Sequence, residues 1–574
     1  MAAAKSGKKK KSTKPKLSAD EKKRRKIQRD HIRLARSVLK TSGFQQLAGV
    51  ADKEITYEGT TSDCDDVFIW KNVVLVCEYT ALPSEKLSEH LKKKKVLYDK
   101  IQLDPGKFVT FLRAKFPGID GAFDALYEPH HFKVRIIYAP RNAITAKLKA
   151  EVPKVHYLEY NILKYFQVVS HTVRLSSLHE WFDFLDLQWH ELGESVIGQK
   201  FVSTTPYPGS ILPDGHSNFG KGFKVVSFYI NPEGVLERGY VLRRQGWRAG
   251  ASAYQRMISK KKIEAIRKYL LNERRVFINN IVVTLPDDTR LLDSKGVTID
   301  TESIKDTQPG VVQIPNRCNS IGLVDGQHRV YSYYEGGQND DVISKLMKLQ
   351  NLLVTGVMFP AGMADEDKLE FEAKLFLEIN SNQTNARSDL KQELALILQP
   401  FAAESIAKRV VNFLNESGGP LSDEFAVYFF DKDKVKTTSI VSYGLRPLVG
   451  LTADDSLFNL WAEPNKVELL KNTNHALLSE YVKFCASAVE DVFVAAQLAL
   501  PGRWTADRKV PKRFLTTTNI NGLLGYLRRV VRNGTLLNRG AYTAKLSKLN
   551  GFDFSPYKSS QYNKMGERLF KDFG

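Results

Sequence analysis

Residues 321–336 read IGLVDGQHRVYSYYEG, and the change of pattern inside them sets the fold class. The apolar run from Ile321 to Val324 has the length of a buried strand, stops at Asp325-Gly326, and gives way to the start of a helix rich in aromatics. A strand that opens through a glycine into a helix puts its turn at the edge of a sheet. Backbone N–H groups and the first helical turn are free there to meet an anion, and His328 and Arg329 stand at that turn. Asp-Gly turns also occur for local reasons, with an arginine pairing only with a carboxylate such as Asp325. Spacing by itself leaves both readings open.

Working outward, strand-like and helix-like segments alternate. KVVSFYI (224–230), a helix over about 260–272, FINNIVVTL (277–285), a loop to about 315, LLVTGVMF (352–359) and a helix over 365–380 predict an α/β or α+β unit on a mixed sheet. The stretch before them, STTPYPGSILPDGHSNFGKG (203–222), has many backbone breakers and several aromatics, and is expected as a loop over the site. Beyond residue 390 the apolar period is helical, clearest in KQELALILQPFAAESIAKRVVNFLN (391–415).

Toward the N-terminus, residues 1–17 read as a disordered basic tail and 18–41 as a charged helix beginning near Ser18, with Asp20 and Glu21 in its first turn. DDVFIW (65–70), a Lys71-Asn72 turn and VVLVCEYT (73–80) read as a hairpin, followed by a helix over 87–101 that carries Lys92 to Lys95. HHFKVRIIYAP (130–140) and VHYLEY (155–160) look like strands. WFDFLDLQWH (181–190) has the spacing of a core helix, and a boundary between units is expected near 170–195.

At 574 residues the chain exceeds one core, and no apolar stretch is long enough to span a membrane. Cys64, Cys77, Cys318 and Cys485 are scattered without metal spacing, so neither a disulfide frame nor a zinc site is indicated and a cytoplasmic location is expected. The two ends carry the charge. Residues 1–40 contribute +13 and residues 501–574 contribute +11 of the total +21, leaving the middle at −3. Basic ends of this kind hold DNA phosphates through counterion release, or merely solvate the chain. In the C-terminal stretch Arg528, Arg529 and Arg532 follow Tyr526, and Arg508, Lys509, Lys512 and Arg513 lie beside Trp504 and Phe514, a pattern that suits either a phosphate track or a covered helix face. No G-x-x-x-x-G-K-[ST] sequence is present, which excludes P-loop chemistry.

Asp66 and Glu78, on the two strands of the hairpin, are expected to hold a divalent metal against a scissile phosphate. Their placement resembles the PD-(D/E)XK restriction-endonuclease-like core, in which a lysine follows the second carboxylate by two residues. Here that position is Thr80, so cleavage would require Lys86 or Lys94 to reach in from the next helix.

The pentapeptide Asp325-Gly326-Gln327-His328-Arg329 resembles the signature of the DGQHR-domain family, which includes DndB-like and DpdB-like proteins of DNA-modification systems and is similar to the ParB and sulfiredoxin superfamily. Ala253-Tyr254-Gln255-Arg256 and Leu375-Phe376-Leu377-Glu378-Ile379-Asn380, the latter followed by SNQTNARSDLKQEL, fit the same family in the same order. The resemblance implies a ParB-like domain over 190–395, between a restriction-endonuclease-like module at 18–175, intact or degenerate, and a helical basic region at 396–574. It implies a nucleoside triphosphate, ATP or CTP, held with Mg²⁺ by Gln255, Arg256, Gly326, Arg329, Asn380 and Arg387, with Asp325, His328 and Arg329 as catalytic candidates. The function it implies is that of a DNA-associated component of a bacterial DNA-modification or defence system, working with other proteins of that system, as an oligomer or alone. A non-enzymatic DndB-like DNA-binding regulator and a metal-dependent DNA endonuclease are the alternatives.

Overall fold

A computed structural model describes residues 18–197, 203–243, 247, 255, 257–381, 388–428, 430–431 and 433–574. It is a mixed α/β protein whose two main sheets are both mixed, followed by a helical region.

Helix α1 (Ala19–Thr41) starts where the sequence puts it. Glu21 N–H donates to Ser18 Oγ (3.1 Å) and Ser18 N–H donates to the Glu21 carboxylate (2.9 Å), a reciprocal cap that satisfies two otherwise orphaned donors. After β1 (Gln45–Gln46) come the hairpin β2 (Lys53–Tyr57) and β3 (Thr60–Cys64), then β4 (Asp66–Trp70) and β5 (Val73–Thr80). Helices α2 (Ser84–Leu103) and α3 (Pro105–Lys115) lead to β6 (Lys133–Pro140), α4 (Ala146–Glu151) and β7 (His156–Tyr157). The sheet order is β1-β4-β5-β6-β7, with β1, β4 and β5 antiparallel and β6 parallel to β5. Only His156 and Tyr157 of the second expected strand pair; from Tyr160 the chain is already α5 (Tyr160–Val173), followed by α6 (Leu178–Phe184).

The central sheet is built from β8 (Thr204–Ile211), β9 (Lys224–Ile230), β10 (Gly239–Tyr240), β11 (Ile281–Leu285), β12 (Arg290–Leu292), β13 (Gln308–Pro315), β14 (Ile321–Asp325) and β15 (Leu352–Met358), in the order β10-β14-β11-β15-β9-β8-β13-β12. Its helices are α7 (Asp214–Ser217), α8 (Pro232–Arg238), α9 (Lys260–Glu273), α10 (Gln327–Tyr331), α11 (Asp340–Leu349) and α12 (Asp365–Ser381). Two expectations fail here. The first part of the proline-rich stretch is a strand and not a loop, because β8 pairs with β13 along all eight residues while β9 joins only from Gly209; from Leu212 to Phe223 the chain is irregular apart from α7. Pro206 and Pro208, two apart, turn their donor-less nitrogens to the same unpaired side, where a strand tolerates proline. The supposed loop before 315 holds β12 and β13, strands whose pairing partners lie about a hundred residues upstream or next door and leave little local signal.

One apolar core runs from Ala35 through Phe166, Trp181 and Phe184 to Val283, Leu323 and Met358, so the first sheet's α1/α5 face and the central sheet are packed together. A second fills the other face of the first sheet. Helix α13 (Ser388–Leu398) packs Leu390 and Leu394 with Val324, Val357 and Ala373 of the central unit, and the helical region that follows, α14 (Ala403–Glu416), α15 (Arg446–Val449), α16 (Leu457–Leu460), α17 (His475–Ala499), α18 (Thr517–Arg532), α19 (Arg539–Lys545) and α20 (Tyr562–Phe573), has a core of its own from Phe401 to Leu569. No helix among the described residues is long and apolar enough to cross a membrane.

Candidate functional site

The β4–β5 register, Trp70 opposite Val73 and Asp66 opposite Cys77, fixes which carboxylates meet. Partners across an antiparallel pair share a face and neighbours along a strand alternate. Asp66 therefore shares the face of Cys77, and the residue matching Glu78 is Asp65. Asp66 does not stand with Glu78. Its carboxylate is wholly buried, accepting from Arg36 Nε at 2.6 Å and from Gln46 Nε2 at 2.5 Å. It anchors α1 to the sheet, and the carboxylate on the face of Glu78 is that of Asp65.

Around Glu78 the opposite face gathers charge. Lys94, projecting from α2, donates to Glu78 Oε2 (2.7 Å), Asp63 Oδ1 (2.8 Å) and the Asp63 carbonyl (2.7 Å). Burial opposes the Lys94 charge, but the Glu78 and Asp63 carboxylates outweigh it and hold its pKa above that of an ordinary lysine. The same ammonium, through its hydrogen bond, lowers the pKa of Asp63. Asp65 goes the other way: burial, then the nearby Glu78 charge, push it up to about 7, although it accepts a hydrogen bond from Tyr79 N–H at 2.6 Å. His90, one turn before Lys94 on α2, places Nε2 3.4 Å from Glu78 Oε1 and Nδ1 3.0 Å from the Tyr138 hydroxyl.

Thr80 accepts from Leu82 N–H and leaves the usual lysine place empty. Lys94 reaches Glu78 from the helix, while Lys86 is exposed. Asp65 was discoverable from sequence, since a two-residue turn at 71–72 pairs position 66 with 77 and therefore 65 with 78. Asp63 and the choice of Lys94 within Lys92–Lys95 carried no such signal.

Among the described residues no three His, Cys, Asp or Glu side chains form a complete metal-ligand group. Two carboxylates, one of them pushed up in pKa so that a cation would displace its proton, still fit Mg²⁺, which commonly takes one or two carboxylates and completes its shell with water and substrate phosphate.

The second expected site lies at the end of β14. Gly326 adopts φ +99°, and a Cβ there would meet Ile281 Cδ1 at 2.5 Å, so glycine is required by the turn itself. Arg329 is drawn to Asp325 (2.9 Å) and to the Asn280 carbonyl (2.8 Å), as the local reading of the spacing anticipates. Its buried Nε finds no partner among the described residues. His328 does not join them: Nε2 accepts from Ser259 N–H (3.1 Å), and burial lowers its pKa to about 4, so the ring is neutral. Gln255 donates to the Leu323 carbonyl, and Gln327 accepts from Arg243 Nε (3.2 Å). With five residues, α10 is too short to offer the helical N-terminus expected for a phosphate. Asn380 lies in α12; its side chain, together with Arg256 and Arg387, falls outside the described residues, as does the basic tail 1–17.

The C-terminal arginines are partly engaged. Arg528 and Arg532 hold Asp455 (3.0 and 2.6 Å), and Arg529 donates to the Gly525 and Asn563 carbonyls. Arg508, Lys509 and Lys512 are exposed.

No protein-family model, curated protein or solved structure matches this chain.

Proposed function

We propose that the chain is a metal-dependent nuclease that cleaves nucleic-acid phosphodiesters at Asp65, Glu78 and Lys94. The observation that carries this reading is Lys94: its ammonium lies against Glu78, on the face that Asp65 shares, in the role left vacant at Thr80. The order helix, three antiparallel strands, helix and parallel strand supports a restriction-endonuclease-like module at the N-terminus. A divalent cation held by Asp65 and Glu78 would stabilise charge on the phosphate oxygens. Asp65 would give up its proton on taking a ligand role. Lys94, shared with Asp63 at rest, turns its ammonium to the charge that develops at the scissile phosphate. His90 and Tyr138 keep the Glu78 carboxylate in place.

The test is cleavage of duplex and single-stranded DNA by the purified chain with Mg²⁺ or Mn²⁺. Asp65→Ala, Glu78→Ala and Lys94→Ala should each lose at least about 100-fold, whereas Asp66→Asn, corrected for folded fraction, should stay near wild type. No metal-dependent cleavage, or cleavage indifferent to Glu78→Ala, would sink the reading.

A second reading keeps the central domain as the DGQHR, ParB-like unit of a DNA-modification system, binding and hydrolysing ATP or CTP. The buried Nε of Arg329, which has no partner among the described residues, favours it. Nucleotide turnover abolished by Arg329→Ala but retained in Asp65→Ala would establish that activity separately.

A further inference from the structure

Helix α1 carries nine Lys and Arg against three Asp and Glu, and the structure sorts them. Its apolar side, with Ala35, Val38 and Leu39 buried, is spent on the sheet. On the outer side Arg29, Arg33, Arg36 and Lys40, spaced by four, three and four residues, form one stripe of about 16 Å at helical rise. They line a groove of about 680 Å³ whose single acid is Asp52. Only Arg36 is strongly committed, to Asp66 at 2.6 Å and more loosely to Asp52 at 3.7 Å. Arg33 has the exposed Asp30 at 3.8 Å, a pair of little energetic weight. The Arg29 and Lys40 side chains have no partner among the described residues.

We infer that this groove is a track for the phosphate backbone of duplex DNA, leading the strand to the carboxylate cluster. The inference deepens the nuclease reading and rests on it for the strand's destination. Continuity with the cluster is the first argument. Arg36 reaches the Asp66 carboxylate and, at 3.5 Å, the Asp65 carbonyl, while Gln28 donates to the Tyr79 carbonyl (2.9 Å) and accepts from Ala81 N–H (2.6 Å). The helix thus meets, from the opposite face of the sheet, the strand ends that carry Asp65 and Glu78, and Asp52, which lines the groove, lies within electrostatic reach of Asp65. Chemistry is the second argument: guanidinium groups at successive turns match a row of phosphates, which they can grip by paired hydrogen bonds. An anionic membrane surface fits less well, because interfacial helices insert an apolar face and the one on α1 is already buried. The C-terminal basic stretch competes poorly for the same role, since Arg528 and Arg532 are neutralised by Asp455.

The test is equilibrium binding of a labelled duplex to the full chain by fluorescence anisotropy, in EDTA so that no cleavage occurs, across a KCl series. The variant is Arg29→Ala/Arg33→Ala/Lys40→Ala, all exposed positions, with Arg36 left in place to hold Asp66. A charge-matched control, Lys295→Ala/Lys345→Ala/Lys348→Ala, removes three exposed cations from the central unit. Three lost phosphate contacts should flatten the log K against log [KCl] slope by roughly two to three units and weaken binding by about tenfold or more at low salt. The control should leave the slope near wild type. Equal effects of the two triples, or none from either, would overturn the track. Loss of phosphatidylserine-vesicle binding in the α1 triple, with duplex binding intact, would overturn it in favour of a membrane. Because binding is read without metal, a chain that never cleaves but shows the α1-specific slope change would sink only the nuclease reading. Cleavage that persists while the triple binds like wild type would sink only the track.

Discussion

Asp65 is the residue whose chemistry changes most on folding. Free in the unfolded chain its carboxyl titrates near 3.8; in the fold burial and the Glu78 charge move it to about 7. Below pH 4 it is protonated in both states and its burial carries no ionic cost. Between about 4 and 7 the fold holds a proton that the unfolded chain releases, so stability falls as pH rises, and above 7 the full cost is present. In EDTA, wild type should therefore lose roughly 1–3 kcal/mol relative to Asp65→Asn between pH 4.5 and 8, read from denaturant midpoints at constant slope. Mn²⁺ should reverse the trend in wild type, raising its midpoint more at pH 8 than at pH 6, because a ligand must lose its proton first. A flat difference between the two proteins across this range would mean that Asp65 is ionised throughout and that its neighbours do not make the site. Lys94 shows the complementary case, a buried cation kept charged because two carboxylates outweigh its desolvation.

At the scale of elements, one residue of register separates the carboxylate that shares the face of Glu78 from one that serves as a structural clamp. Asp66 ties α1 to the hairpin through Arg36 and Gln46. Asp66→Ala should cost about 3–5 kcal/mol, since it strands a partly buried guanidinium and an amide, and hydrogen exchange should show faster opening of the Arg36 and Gln46 amides. Metal-dependent chemistry per folded molecule should persist; its complete loss would return Asp66 to the site. The same parity explains what was legible. Helix α1 announced itself through Ser18 and Glu21, and the β4–β5 hairpin through alternating apolar residues around Lys71-Asn72, because capping and turn chemistry are local. The turn even specified the pairing that excludes Asp66, since 71–72 at the bend puts 65 opposite 78. What was not legible is non-local. Pro206 and Pro208 look like breakers until β13 pairs the strand on one side and β9, joining only from Gly209, leaves the other side open at both prolines. Lys94 looks like one of four equivalent lysines until the face of α2 is known. His328 and Arg329, adjacent in the motif that looked most chemical, diverge because the imidazole accepts from the Ser259 amide while the guanidinium donates to Asp325 and to the Asn280 carbonyl.

At the scale of the whole molecule, the question is how the first sheet communicates with the DGQHR turn. Arg243 is the answer the packing gives. Fully buried, it bonds Glu180 at 2.9 Å and the Tyr165 hydroxyl at 3.2 Å on the α5/α6 side, Gln327 at 3.2 Å on the turn side, and stacks over Tyr331. The apolar core around it crosses from Ala35 to Met358 without a break, whereas the helical region from Phe401 to Leu569 has its own core. Calorimetry should accordingly show two main transitions, with the first sheet and the central sheet melting in one of them. Arg243→Met removes the cation that faces the buried Glu180 carboxyl and leaves it the Tyr165 hydroxyl as a donor, which should lower that transition by about 3–5 kcal/mol. Adding Glu180→Gln removes the other half of the ion pair, so the double variant should be more stable than Arg243→Met alone. If the two substitutions simply add, the pair is not coupled and the two sheets are joined by apolar packing only. If Arg243→Met instead splits the first transition in two, the ion pair is what makes the carboxylate cluster and the DGQHR turn parts of one cooperative body.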